Sequence, residues 1–283
     1  MLSESQERML MIIKPSKINI AKRIFKKWSL AFSSIGEITE YSNIKVISRK
    51  KVVADIPLDY LTNAKIFRRP FIITKNTYKE TSYPKRTIAE VVKKIFSDSN
   101  LFSKEIIWSQ YDHMITRNVL SAMGGNASIV KTNYKFQAIA TTTDCNIYYC
   151  DTDPYLGVIQ AIAESYRNLI SVGAKPLAIT NCLNFGNPEK KEIMGQFVQT
   201  IRGMRVASKK LSLPIISGNV SFYNETNNKS IPPTPQIGSV GVINDYRKVI
   251  SLSSFSNDDN LYIIGETKGH LSSSAYERTI FDF

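Results

Sequence analysis

The sequence predicts an α/β (α+β) protein with more than one domain. Three observations carry that prediction. Residues 177–235 read as strand, turn, helix, strand and polar loop, a unit from which α/β sheets are built. Residues 155–172 carry an apolar face at helical spacing between two strand-like runs. Residues 9–56 follow the order β-α-β-β, half of a ferredoxin-like α/β sandwich. At 283 residues the chain is long enough for a sizeable core.

The elements follow in order. Residues 9–13 (MLMII) predict a strand, and Lys14-Pro15-Ser16 breaks it with a capping serine. Ile20, Ala21, Ile24, Phe25 and Trp28 make a short amphipathic helix ending near Leu30. Strands are expected over 35–40, 44–48 and 52–56, separated by Tyr41-Ser42-Asn43 and by Arg49-Lys50-Lys51. Residues 57–85 carry Pro57, Pro70 and Pro84 and read as an extended linker. Thr87 and Glu90 form a capping box, with Ile88, Val91, Val92, Ile95 and Phe96 as the helix face behind it. Ser103 opens another short helix through Gln110, and Gly124-Gly125 marks a tight turn.

A strand over 137–143 brings Thr142-Thr143-Asp144 to its carboxyl end. In the helix 155–172, Val158, Ile159, Ile162, Ala163, Tyr166, Leu169 and Ile170 line one side and Gly173 caps it. A strand over 177–182 leads to Asn187-Pro188, which reads as an N-cap followed by proline at the first helical position. Ile193, Met194, Phe197, Val198, Ile201, Met204 and Ala207 recur at helical spacing behind it. Residues 214–217 predict a strand running into Gly218-Asn219-Val220-Ser221. Residues 236–243 and 260–266 are strand-like, and Ser272-Ser273-Ser274 caps the start of a helix.

Composition bounds the function classes. The net charge of +13 would attract polyanions, but the lysines are scattered, with no basic tail and no aromatic-basic repeat. Nucleic-acid binding is therefore a minority reading, supported by charge alone. Cys145, Cys150 and Cys182 lack CxxC spacing and lie far from His113 and His270, so neither a zinc site nor a disulfide framework is indicated. The start is polar, no signal peptide is evident, and no apolar run approaches the ~18 residues of a membrane span. The expected location is the cytoplasm, with no membrane partner.

No P-loop, GxGxxG, GxSxG, HExxH or CxxC occurs. What remains is a set of polar clusters at strand ends: Thr142-Thr143-Asp144-Cys145-Asn146, Asn181 with Asn184-Phe185-Gly186-Asn187, and Ser217-Gly218-Asn219-Val220-Ser221. Ligands of open α/β sheets gather at the carboxyl ends of strands. A glycine admits a phosphate close to backbone amides, and amide or carboxylate oxygens suit Mg²⁺. The same asparagines and aspartates are also ordinary turn formers. Physical chemistry alone leaves both readings open.

The order of longer motifs goes further. TTDCN at 142–146, Asp153-Pro154-Tyr155 with Gly157, and Ala161, Glu164 and Arg167-Asn168-Leu169 resemble one family. So do CLNFGNPEK at 182–190, SGNVSFYNET at 217–226 and IPPTP at 231–235. Leu2–Met9 (LSESQERM), Gly36-Glu37, VADIP at 53–57, QYDHM at 110–114 and Gly265-Glu266-Thr267 match it in the same order. The family is the synthetase subunit of phosphoribosylformylglycinamidine synthase, of purine biosynthesis.

The resemblance implies an internal fragment. Residues 1–69 would be the C-terminal part of a first synthetase-like C-terminal domain, and 70–100 a linker and helix. Residues 101–247 would be a second aminoimidazole-ribonucleotide-synthetase-like N-terminal α/β domain, and 248–283 the start of a second C-terminal domain. The flanking domains would be partial ferredoxin-like sandwiches. The implied reaction is ATP-dependent conversion of formylglycinamide ribonucleotide, with glutamine-derived ammonia, to formylglycinamidine ribonucleotide. ATP and Mg²⁺ would be the cofactors.

A glutaminase subunit, a small bridging subunit and a separate chain carrying the missing catalytic half would be the partners. Glu4, Ser5, Gln6 and Ser221 match substrate-binding positions, Asn181 and Gly218 ATP-contacting positions, and Asn219 a magnesium ligand. The family's catalytic histidine has no counterpart, and His113 reads as structural. Asn181 and Asn126 stand where aspartate is expected; an amide keeps an acceptor oxygen but loses the charge. His270, Ser272 and Ser273 replace an expected glycine-rich turn. A non-catalytic remnant or interaction module is the alternative reading.

Overall fold

The computed structural model describes residues 8–63, 66–74, 83, 85–111, 117–121, 124–250, 255–266, 268–269 and 271–281. The chain divides into two compact units, residues 1–67 and 68–283.

In the first unit a single 3₁₀ turn, Pro15–Lys17, leads into helix α1, Ile18–Lys27. Strands β1 (Asn43–Ser48) and β2 (Lys51–Pro57) form an antiparallel hairpin, and α2 (Leu58–Thr62) follows. Arg49 and Lys50 both take left-handed backbone (φ 48° and 62°), the two-residue turn whose twist matches paired strands. The strands expected over 9–13 and 35–40 do not form: Met9, Leu10, Ile35 and Ile38 are exposed and no ladder reaches them. A strand-like apolar stretch becomes a strand only where a partner edge completes its hydrogen bonds. No described residue of this unit is fully buried.

The second unit carries α3 (Ile88–Ser97), α4 (Glu105–Trp108), β3 (Val119–Ser121), β4 (Ser128–Lys131) and β5 (Ala138–Asp144). Next come α5 (Ile147–Thr152), α6 (Pro154–Ser171), β6 (Lys175–Asn184), α7 (Lys191–Leu211) and β7 (Asn219–Ser221). A small hairpin of β8 (Glu225–Thr226) and β9 (Lys229–Ser230), then β10 (Thr234–Ile243) and α8 (Ala275–Phe281), complete it. Six strands form one mixed sheet in the order β3-β4-β5-β10-β6-β7. Only the β6–β7 pair is parallel. β10 buries every second residue, as a central strand with one helix-covered face should.

α6 and α7 pack together on the sheet. Val158, Ala161 and Ile162 of α6 and Met204 and Ala207 of α7 close a core with Ile179, Leu183, Phe185, Leu213 and Ile237. The crossing is close because residue 203 is glycine: a Cβ there would fall on the carbonyl oxygen of Tyr155. A second cluster joins Ala127, Ile129, Ala138, Ala140, Leu169, Val172, Ala174 and Ile243. The Thr87–Glu90 capping box forms with both of its arms. α8 docks on α3 through Thr279 Oγ1 donating to Asp98 Oδ2 at 2.8 Å, and Tyr83 donates to Glu277 at 2.7 Å.

Several expectations are corrected. α7 starts at Lys191, not at Asn187-Pro188. The Asn187 side chain instead accepts from Glu189 N at 2.9 Å and its carbonyl from Lys190 N at 3.1 Å, closing a local turn before the helix. Residues 214–217 make one parallel bridge, Ile215 with Ile179, and regular pairing resumes only at β7. Within the linker expected over 57–85, Leu58–Thr62 form α2, and Ile72 N donates to Lys191 O of α7 at 3.0 Å. Residues 260–266 are not a strand, and Leu261, Tyr262, Ile263 and Ile264 are exposed.

Candidate functional site

The polar clusters converge where β6 and β7 run side by side. Their register pairs Cys182 with Asn219, Leu183 with Val220 and Asn184 with Ser221. Gly218, just before β7, lies against the Asn181 side chain; a Cβ on Gly218 would stand 2.6 Å from Asn181 Oδ1. Asn181 Nδ2 reaches Ser217 O at 3.4 Å, and Ser217 donates to Thr180 Oγ1 at 2.7 Å. Asn219 Nδ2 contacts Cys182 Sγ at 3.7 Å. Ser221 Oγ donates to Asn224 Oδ1 at 3.4 Å. Gly218 and Asn219 are exposed, while Asn181 and Ser221 are half-buried. Four sequence-predicted site residues thus lie at or beside one strand pair: Asn219 and Ser221 within it, Gly218 just before it and Asn181 one residue ahead of it on β6. Glu4, Ser5 and Gln6 lie outside the described residues, as do His113 and His270.

The carboxyl end of β5 points the same way as that of β6. Ile237 of β10 pairs with Asp144 on one side and Asn181 on the other. Asp144 is 8% exposed; it accepts from Thr142 Oγ1 at 2.9 Å and Asn168 Nδ2 at 2.8 Å. Burial pushes its carboxyl above the usual carboxylate range, against the two hydrogen bonds that favour the charged form. Asn126 donates to Ser171 Oγ at 2.8 Å, a structural contact. All three cysteines are free; the proximity of the two thiols lowers the Cys145 thiol and, with burial, raises that of Cys150.

Two residues gained no role from the sequence. Asn168 supports Asp144 from α6, and it sits among apolar positions that drew attention to packing instead. Glu225 gathers three donors on Oε1: Ser230 Oγ at 2.6 Å, Lys190 Nζ at 2.9 Å and Asn187 N at 3.0 Å. The Ser230 bond first, then Lys190 and Asn187, hold its carboxyl at about 2. A carboxylate between asparagines in a polar loop has no local signature of this. Among the described residues no group of three His, Cys, Asp or Glu could hold a metal, and no helix is long and apolar enough to cross a membrane.

Comparison with known proteins agrees with this geometry. Residues 124–243 match the family model "AIR synthase related protein, N-terminal domain". The PurL subunit of phosphoribosylformylglycinamidine synthase from Pelagibacter ubique is 42% identical over all of this chain, and that of Rhodopseudomonas palustris (strain CGA009) is 44% identical over 99% of it. The chain spans 39% of the length of each. Thermotoga maritima PurL complexed with ATP superposes with a TM-score of 0.63 at 27% identity, over 87% of this chain and 39% of that one. The same protein complexed with FGAR gives 0.64 at 27% identity, over 83% and 36%. With an AIR-synthase-type sheet at its centre and this likeness along its length, the chain resembles an internal section of the PurL subunit of phosphoribosylformylglycinamidine synthase.

Proposed function

We propose that this chain supplies part of the nucleotide and substrate site of an ATP-dependent carbon–nitrogen ligase. The reaction is the conversion of formylglycinamide ribonucleotide and glutamine-derived ammonia to formylglycinamidine ribonucleotide. The supporting observation is that Asn181, Gly218, Asn219 and Ser221 gather at the start of the β6–β7 pair in a chain 42% identical to PurL. In this reading residues 1–69 and 248–283 belong to C-terminal-type domains, 70–100 to a linker and helix, and 101–247 to the N-terminal-type domain. A separate chain supplies the catalytic half, and a glutaminase with a small bridging subunit supplies ammonia.

The chemistry of the residues fits these roles. Gly218 has no side chain and is exposed, so its backbone is open to phosphate, and Asn181 beside it presents amide donors and an acceptor. Asn219 offers one neutral oxygen. That suits Mg²⁺, which keeps waters and takes most of its ligands from nucleotide phosphates. Bound there, Mg²⁺ would neutralise phosphate charge. Ser221 orients substrate through a hydroxyl whose direction Asn224 sets. Glu4, Ser5 and Gln6 complete the substrate contacts.

Titration calorimetry of the full chain with MgATP and with formylglycinamide ribonucleotide tests the proposal. Saturable binding of at least one is expected. Gly218→Ala, which displaces the Asn181 amide, should weaken MgATP about tenfold or more; Ser221→Ala should weaken the ribonucleotide by a similar factor. No binding of either by the unaltered chain would overturn the reading.

A further inference from the structure

We infer that Glu225 is a positioning residue for the β7 strand end. It holds Ser221 and the Gly218-Asn219 backbone in place by tying the 222–230 loop to the turn at 187–190. What Ser221 and Gly218 bind rests on the proposed function; the tie itself does not.

The loop needs holding. Tyr223 sits at φ 61°, a left-handed conformation that is strained for a bulky residue and persists only where surroundings impose it. Tyr223 lies two residues beyond Ser221 and two before Glu225. Were it to relax, the chain leaving β7 would change direction. The restraints come from the opposite segment. Tyr223 N donates to Gly186 O at 3.0 Å, and Asn224 N to Phe185 O at 3.2 Å. Phe185 N in turn donates to Ser221 O at 3.0 Å, and Tyr223 OH to Glu189 Oε1 at 3.0 Å.

Glu225 closes this set of contacts. Its single oxygen Oε1 joins two other pieces of chain: β9 through Ser230, and the 187–190 turn through both the Asn187 amide and the Lys190 ammonium. Lys190 Nζ also reaches Asn228 O at 3.2 Å, so the ammonium spans the β8–β9 turn. The fit leaves no slack, because a Cβ at Gly186 would fall on the Ser230 side chain and stand 3.2 Å from Glu225 Oε1. Hydrogen bonds to a charged group are the stronger kind, and this carboxylate takes one from an ammonium, one from a hydroxyl and one from a backbone amide. A swap of charges with Lys190 cannot replace it, because a lysine at 225 has no acceptor for the Asn187 N–H.

The test is amide hydrogen exchange on the full chain, comparing the unaltered protein with Glu225→Ala and Glu225→Gln. Glu225→Ala should speed exchange at Phe185, Tyr223, Asn224 and Ile231 by about tenfold or more, with the β5–β10–β6 ladder unchanged. Glu225→Gln keeps an acceptor oxygen and should restore part of the protection. Affinities for MgATP and formylglycinamide ribonucleotide are measured alongside, and Glu225→Ala should weaken them about tenfold. Uniform loosening of the sheet and loop together would mark a merely stabilising residue and overturn the inference. So would unchanged exchange at those four amides, or faster exchange with unchanged affinity. If the unaltered chain binds neither ligand, the proposed function fails, and the exchange pattern alone still decides whether Glu225 ties the loop.

Discussion

At the scale of single residues, Asp144 shows how a site residue and a packing residue differ in their demands. Its carboxyl is buried, and Thr142 and Asn168 offset that burial only in part. A carboxyl whose folded value is raised binds its proton more tightly in the folded state. Its contribution is fully present below the unfolded value of 3.8 and is lost as pH rises through the higher folded one. Asp144→Asn keeps an acceptor for Asn168 and a group for the Thr142 hydroxyl while removing the charge. It should be at least as stable as the parent at neutral pH in urea denaturation, with the advantage vanishing near pH 3.8. A loss of more than about 1 kcal/mol at neutral pH would contradict this. Glu225 has the opposite sign: its carboxyl lies at about 2 against 4.5 unfolded, so its contribution is present above 4.5 and lost as pH falls towards 2. Melts of the parent and Glu225→Gln should therefore converge at the acid end.

At the scale of elements, two glycines in α7 do different work. Gly203 lets α6 cross closely, and Gly195 lets the backbone at Ile72 lie flat on the helix. Alanine in a helix interior ordinarily gains up to about 1 kcal/mol over glycine. At Gly195 the sign should reverse, because the new methyl would fall on the carbonyl oxygen of Ile72, a residue whose N–H is tied to Lys191 O. Gly195→Ala should cost about 1–3 kcal/mol and open the 66–74 segment to protease. Phe185 anchors the other end of the unit. It is fully buried, with Phe197 and Phe222 at 5.4 and 6.5 Å between ring centroids. Phe185→Ala should cost about 3–5 kcal/mol by denaturant melt, and the loss should include the contacts that seat the 222–230 loop.

At the scale of the whole molecule, order is uneven. The sheet unit has two buried clusters, whereas no described residue of the first unit is buried. Exchange protection should therefore be high over 138–184 and 234–243 and near that of open chain over 43–57. Comparable protection in both would contradict the description. With the catalytic half proposed on another chain, the purified protein alone should release no ADP from ATP, formylglycinamide ribonucleotide and ammonia. Substrate-dependent release would refute that assignment.

The sequence by itself determined α1, α3, α6, α7, the hairpin at 43–57 and the strands around 138–144, 175–184 and 234–243. In each, an apolar face repeats at the spacing of the element, and at α3 and α6 a local side-chain cap agrees with it; such patterns are properties of a few neighbouring residues. The longer motifs also carried the resemblance to the PurL subunit and drew attention to Asn181, Gly218, Asn219 and Ser221. Tertiary structure decided what depends on a partner distant in the chain. Residues 9–13, 35–40 and 260–266 are apolar enough to read as strands but found no edge to pair with among the described residues. β3, β4 and the placement of β10 between β5 and β6 follow from sheet pairing, and nothing local encodes that order. Asn168 beside Asp144, and Glu225 beside Asn187 and Lys190, became legible only when separate segments met. A hydrogen bond across tens of residues leaves no periodicity to read.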